Sequence, residues 1–107
     1  MPSQFVRVAR VGELEDGAMM LVTPEDQEVV LARVGDEYYA VDALCSHAYG
    51  MLDQGELVGY EVECPIHTGR FDVRTGKATC MPALRPIGAY PVRVDGEDIL
   101  VGPKASG

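Results

Sequence analysis

Apolar runs of three to six residues, each followed by a turn signal, recur along the whole chain. Several runs alternate apolar with polar residues, which is the period of a half-buried strand. No window keeps a helical period over three turns, and only residues 11–16 could form a helical turn, ended by Gly17. Twelve glycines and seven prolines among 107 residues favour many short elements over a few long ones. The predicted strands cover residues 5–8, 19–22, 29–34, 38–41, 61–63, 71–73, 90–94 and 98–101.

Two of the turns have the composition of hairpin turns. Residues 35–37, Gly-Asp-Glu, separate two predicted strands, and the Asp95-Gly96 pair separates the last two. The pattern predicts an all-β fold with short antiparallel strands around one core. We expect residues 1–107 to form a single domain, with residues 103–107 as a flexible tail.

The charge balance limits the classes of partner. Seventeen acidic and nine basic residues give a formal net charge of −8, so nucleic acids and anionic membrane surfaces are not expected partners. No stretch reaches the roughly 18 apolar residues of a membrane span, and no signal peptide is recognisable at the N-terminus. We therefore expect a cytoplasmic protein, in a compartment where structural disulfides are rare.

The two histidines of the chain each lie beside a cysteine. One pair is Cys45 and His47, the other is Cys64 and His67, and 16 residues (48–63) separate the two pairs. Thiolate and imidazole are the ligands that soft or borderline metals select. Two short loops, each with one sulfur and one nitrogen ligand, could therefore form one metal site. The third cysteine, Cys80, has no such neighbour, and we interpret it as a small buried or half-buried thiol.

Three kinds of site could account for these pairs. A closed tetrahedral zinc site with two cysteines and two histidines would stabilise an interaction module, although zinc sites more often pair Cys with Cys at close spacing. A disulfide between Cys45 and Cys64 would leave both histidines unexplained. A two-iron cluster, with the cysteines on one iron and the histidines on the other, would explain why each loop supplies one ligand of each type.

The pattern C-x-H, 16 residues, C-x-x-H resembles the Rieske signature. Residues 64–76 also resemble the second cluster loop and hairpin of Rieske ferredoxins from bacterial ring-hydroxylating dioxygenases, such as the biphenyl, toluene and naphthalene systems. Residues 81–84, Met-Pro-Ala-Leu, resemble the proline loop of that family, and the similarity is firmest over residues 41–91.

The resemblance implies a Rieske fold, a small antiparallel β-sandwich with two cluster-binding loops at one tip. It also implies one [2Fe–2S] cluster bound by Cys45, His47, Cys64 and His67. The implied function is one-electron transfer from a flavin-dependent ferredoxin reductase to a terminal oxygenase, by transient contacts of a monomer that is not itself an enzyme. The alternatives are the small Rieske-like subunit of a nitrite reductase and the zinc-stabilised module.

Four positions differ from the respiratory and photosynthetic branch of that family. Gly50 and Ile66 replace two cysteines that form a disulfide there, and Gly69 and Phe71 replace a serine and a tyrosine whose hydroxyls donate to cluster sulfurs. Such donors stabilise the reduced state. Rieske centres have reduction potentials from about −150 to about +300 mV. The absence of these donors predicts a reduction potential near the lower end, about −150 mV.

Overall fold

The computed structural model describes residues 5–24, 27–43, 52–65, 69–80 and 87–102. In this part of the chain the regular structure consists of strands and short 3₁₀ helices, and none of its helices is long and apolar enough to cross a bilayer. The 3₁₀ helices include Val11–Glu13 and Leu52–Gln54. The strands are β1 (Val6–Arg10), β2 (Met19–Val22), β3 (Val29–Val34), β4 (Glu37–Asp42), β5 (Glu56–Val58), β6 (Glu61–Glu63), β7 (Arg70–Asp72), β8 (Ala78–Cys80), β9 (Ala89–Tyr90), β10 (Val92–Asp95) and β11 (Asp98–Val101).

The strands form three antiparallel sheets. The N-terminal and C-terminal strands make one sheet, in the order β1-β11-β10. The central sheet has the order β2-β3-β4-β9, and the third sheet has the order β5-β6-β7-β8. The predicted all-β fold of small antiparallel sheets is confirmed.

The central sheet lies between the other two, because both of its faces are buried. Along β3, Val30 and Ala32 belong to a hydrophobic cluster shared with the third sheet, whereas Val29 and Leu31 belong to a cluster shared with the terminal sheet. A strand that is buried on both faces has a continuous apolar sequence, and the Val-Val-Leu-Ala run of β3 has this character. The first cluster, which we call the site-side core, also contains Val62 and Phe71 from the third sheet.

The structure differs from the predicted elements at a few places. The predicted strand 90–94 is two strands, because the chain leaves β4 after β9 and pairs with β11 from β10 onward. Pro91 lies at this change of sheet, where its missing N–H costs no ladder bond. The strands β5 and β8 were not predicted, and each is the three-residue outer strand of the third sheet. The helical turn expected over residues 11–16 is a 3₁₀ helix over Val11–Glu13, and Leu14 is already extended. The predicted tail, 103–107, lies outside the described residues.

Candidate metal centre

Cys64 is the one predicted ligand that lies within the described residues. It follows β6 directly, is fully buried in the site-side core, and is not part of a disulfide. Its free thiol argues against the disulfide with Cys45 that the sequence left open. The other predicted ligands, Cys45, His47 and His67, lie outside the described residues. Among the described residues, no three His, Cys, Asp or Glu side chains are grouped so that they could hold a metal ion.

Hydrogen bonds close the bases of the two segments that carry the Cys-His pairs. The first segment, 44–51, starts after Ala43 and returns at Leu52, whose N–H donates to the Ala43 carbonyl oxygen at 2.7 Å. The second segment starts at Cys64, whose own N–H donates to the carbonyl oxygen of Gly69 at 2.7 Å. Ala43, Leu52 and Cys64 all belong to the site-side core. The fold therefore brings the ends of both segments to the same hydrophobic cluster, as a site built from two loops requires.

The predicted proline loop, in segment 81–86, lies outside the described residues, but the chain that follows it starts in this same cluster. Ile87 is buried in the site-side core and donates its N–H to the Gly76 carbonyl oxygen at 2.8 Å. Gly76 has φ +81°, and a Cβ atom on it would lie 2.0 Å from the Ile87 carbonyl oxygen. A residue with a side chain does not fit at Gly76. The close contact of Gly76 with Ile87 holds the chain after segment 81–86 against the hairpin that follows β7.

A second close contact joins the first segment to the second. A Cβ atom on Gly55 would lie 1.8 Å from the Glu63 carbonyl oxygen and 3.3 Å from Cδ of Pro65. The chain that leaves the first segment thus packs directly on the backbone that enters the second. The sequence analysis did not single out Gly55 or Gly76 for this role, because only the folded structure brings their partners near.

An arginine partly neutralises the negative charge of the acidic residues between the two Cys-His pairs. Arg70, on β7, lies 3.5 Å from Glu61 and 3.6 Å from Glu63, so both carboxylates of β6 share one guanidinium. Glu56 of β5 is opposite Glu63 in the ladder and is exposed. Ion pairs at this exposure contribute little to stability. Their effect is to reduce the net negative charge next to Cys64.

The residues present fit the [2Fe–2S] cluster that the resemblance implies. Two cysteines and two histidines are the donor set of a Rieske centre, in which histidines replace cysteines on one of the two irons. The described surroundings of Cys64 are apolar, since Leu52 and Phe71 are fully buried in the same hydrophobic cluster. A sulfur ligand at this position would be shielded from solvent.

Comparisons with known proteins agree with this fit. The family model described as "Rieske [2Fe-2S] domain" matches residues 4–91. The ferredoxin component of the naphthalene 1,2-dioxygenase system of Pseudomonas aeruginosa is 39% identical over 94% of this chain and 97% of its own length. The structure of the ferredoxin of carbazole 1,9a-dioxygenase from Nocardioides aromaticivorans IC177 superposes with a TM-score of 0.92 at 47% identity, covering 94% of this chain and 99% of that one.

A further solved structure is a complex of reduced oxygenase and oxidised ferredoxin in carbazole 1,9a-dioxygenase. Its matching chain has a TM-score of 0.92 at 30% identity and covers 96% of this chain and 97% of that one. The family model alone covers more than half of the sequence, and the matched relatives have nearly the same length as this chain. This protein therefore belongs to the Rieske family, whose domains hold one [2Fe–2S] cluster.

Proposed function

We propose that this protein is a one-electron carrier that supplies the terminal oxygenase of a multicomponent aromatic-ring dioxygenase. The observation that carries the proposal is the match to ferredoxin components over almost the whole of both chains, at 39% and 47% identity. Those relatives are electron-transfer components of oxygenase systems, and one matched chain is seen bound to its oxygenase. The protein is accordingly a component of an enzyme system and not an enzyme by itself.

The proposed cluster ligands are Cys45, His47, Cys64 and His67. When bound, the cluster takes up and releases one electron at a time. The chain would provide the donor atoms, and the burial of Cys64 would shield its sulfur from solvent. With four protein ligands, no coordination position stays open for a substrate, which fits a carrier.

The surroundings of the site suit a carrier of low potential. Phe71, which has no hydroxyl group, is fully buried in the same cluster as Cys64. Gly69, whose carbonyl oxygen accepts from the Cys64 N–H, has no side chain that could donate to a sulfur. Fewer donors to sulfur mean weaker stabilisation of the reduced state.

The remaining parts of the proposal concern the partners and the cell compartment. We propose that a flavoprotein reductase supplies the electron, that both partner complexes are transient, and that residues 1–107 act as a monomeric single domain in the cytoplasm. Transient redox complexes bury little surface, below about 1,200 Å² in total, which allows rapid exchange between two partners. The high acidic content supports the use of long-range electrostatics to speed each encounter.

The test is stopped-flow transfer from the pre-reduced protein to a purified, oxidised oxygenase component, for example that of a carbazole or naphthalene dioxygenase system. We expect reduction of the oxygenase at a rate that rises with the concentration of this protein. His47→Ala and His67→Ala should each abolish transfer, whereas Cys80→Ser should transfer at the wild-type rate. If wild-type protein with a full cluster reduces no aromatic-ring oxygenase but reduces a nitrite reductase that contains sirohaem, the proposed partner class is wrong.

A further inference from the structure

Asp42 connects the start of the first Cys-His segment to the end of segment 81–86. It is the last residue of β4 and lies three positions before Cys45. Its carboxylate accepts two hydrogen bonds, one at Oδ1 from the Tyr90 hydroxyl at 2.6 Å and one at Oδ2 from the Gly88 N–H at 2.7 Å. The Asp42 N–H in turn donates to the Gly88 carbonyl oxygen at 2.9 Å. Three hydrogen bonds thus join residues that are 46 and 48 positions apart.

The backbone pairing between β4 and β9 is short, so the Asp42 side chain makes a large part of the hydrogen bonds between β4 and the chain around β9. Strand β9 has only two residues, and it pairs with β4 at Ala40 and Val41. Immediately before β9 the chain contributes Gly88, and immediately after β9 it turns away at Pro91. Tyr90 is itself buried, and a hydroxyl in that position needs an acceptor.

We infer that Asp42 is a positioning residue for the cluster, because it fastens the end of β4, from which the first ligand segment starts, to Gly88 and Tyr90. This inference rests on the proposed function, in which Cys45 is a ligand. Cα atoms three residues apart are separated by at most about 11 Å, so the connection lies within one short stretch of Cys45. On the opposite face of the sheet, Ala43 and Ile87 are buried together in the site-side core. The residues next to both segments are thus hydrogen-bonded on one face of the sheet and buried in a common cluster on the other.

Substitutions can separate the hydrogen bonds from the charge. Asp42→Ala removes the side-chain hydrogen bonds to Tyr90 and Gly88. Asp42→Asn removes the charge but keeps one acceptor for the Gly88 N–H and offers an NH₂ group to the Tyr90 oxygen, which can accept as well as donate. Tyr90→Phe removes one of the two bonds and retains the charge. Ile99→Val is the control for general loosening, because Ile99 is fully buried in the same cluster as Tyr90 but belongs to the terminal sheet.

The experiment measures two quantities on the holoprotein, the half-life of the visible cluster absorption under mild heat and the hydrogen exchange of peptides that contain Gly88. Relative to Ile99→Val, we expect Asp42→Ala to shorten the half-life at least fivefold and to increase exchange at Gly88. Tyr90→Phe should shorten it at least twofold. Asp42→Asn should restore both quantities to within about twofold of wild type, since removal of buried hydrogen-bond partners and not of charge is the cause.

The outcomes separate this inference from the proposed function. A wild-type protein without the cluster spectrum would overturn the function and the inference together. A normal wild-type cluster with an Asp42→Ala half-life no shorter than that of Ile99→Val would overturn the inference alone. Loss of the cluster from Asp42→Asn as fast as from Asp42→Ala would also overturn the inference alone. If Asp42→Ala does not fold, Tyr90→Phe decides instead, and a half-life of Tyr90→Phe no shorter than that of Ile99→Val would overturn the inference.

Discussion

The backbone of Gly55 passes so close to Glu63 that a Cβ atom on Gly55 would lie 1.8 Å from the Glu63 carbonyl oxygen. Because that oxygen belongs to the backbone just before Cys64, it cannot move away without displacing a proposed ligand. We expect Gly55→Ala to lower the free energy of unfolding by about 1–3 kcal/mol, the usual cost of overpacking. Chemical denaturation of the holoprotein measures this. Gly12→Ala is the matched control, since a Cβ atom there meets nothing within 4 Å. Equal stability of the two variants would contradict the close contact.

Gly76 and Gly96 both have positive φ, +81° and +65°, but only Gly76 has a close neighbour. An alanine at either position has the backbone strain of the left-handed region, about 1–2 kcal/mol. At Gly76 the new Cβ atom would also meet the Ile87 carbonyl oxygen at 2.0 Å. We therefore expect Gly76→Ala to be less stable than Gly96→Ala by a further ~1–3 kcal/mol, measured by denaturation. A difference below about 0.5 kcal/mol, the usual scatter of surface substitutions, would contradict the close contact between Gly76 and Ile87.

The stability of the fold should depend on Tyr90 at high pH. Burial, and then the hydrogen bond to Asp42, raise the pKa of Tyr90 above its ordinary value of about 10. A group whose pKa is raised by folding contributes stability that is present in full below the unfolded pKa, about pH 10, and is lost as the pH rises through the folded pKa. The melting temperature of wild type should thus fall above about pH 10. Tyr90→Phe should show a flatter alkaline decline than the wild type. An identical slope in Tyr90→Phe and wild type would be inconsistent with a buried, hydrogen-bonded Tyr90.

The sequence predicts the fold best where strands are long and apolar. The bounds predicted for β2 and β3 are those found, because uninterrupted apolar runs such as 29–32 are recognisable locally. The short strands β6 and β11 were also predicted with the bounds found, whereas β5 and β8 were not. The strands β5 and β8 are outer strands that are defined by pairing with β6 and β7. The change of sheet at Pro91 likewise depends on which strands β9 and β10 pair with, and the local sequence does not show these partners.

The candidate site is predictable in its chemistry but not in its supports. The paired Cys and His spacing predicts the donor set, and the burial of Cys64 agrees with it. The contacts of Asp42 with Tyr90 and of Gly76 with Ile87 join residues far apart in the chain. An aspartate at a strand end and a glycine in a turn are too common to indicate such contacts, and these supports are visible only in three dimensions.

The reduction potential should lie near −150 mV, at the lower end of the Rieske range. Phe71 is fully buried beside Cys64, and neither it nor Gly69 has a hydroxyl group to donate to sulfur. Phe71→Tyr should raise the potential if the ring keeps its place. Phe5→Tyr, at the other phenylalanine, is the control, because Phe5 contacts Arg93 and Gly102 instead. Spectroelectrochemical titration measures all three proteins. A wild-type value above about +100 mV, well inside the upper Rieske range, would refute the role assigned to these two positions.

The most direct test of the central claim is the metal and sulfide content of the purified protein, together with the electron paramagnetic resonance spectrum of its reduced form. Ligation by Cys45, His47, Cys64 and His67 predicts about two irons and two labile sulfides per chain, with the low average g value of mixed histidine and cysteine ligation. Cys80→Ser should leave all of these unchanged. One tightly bound zinc without sulfide, or loss of the spectrum in Cys80→Ser, would contradict the account.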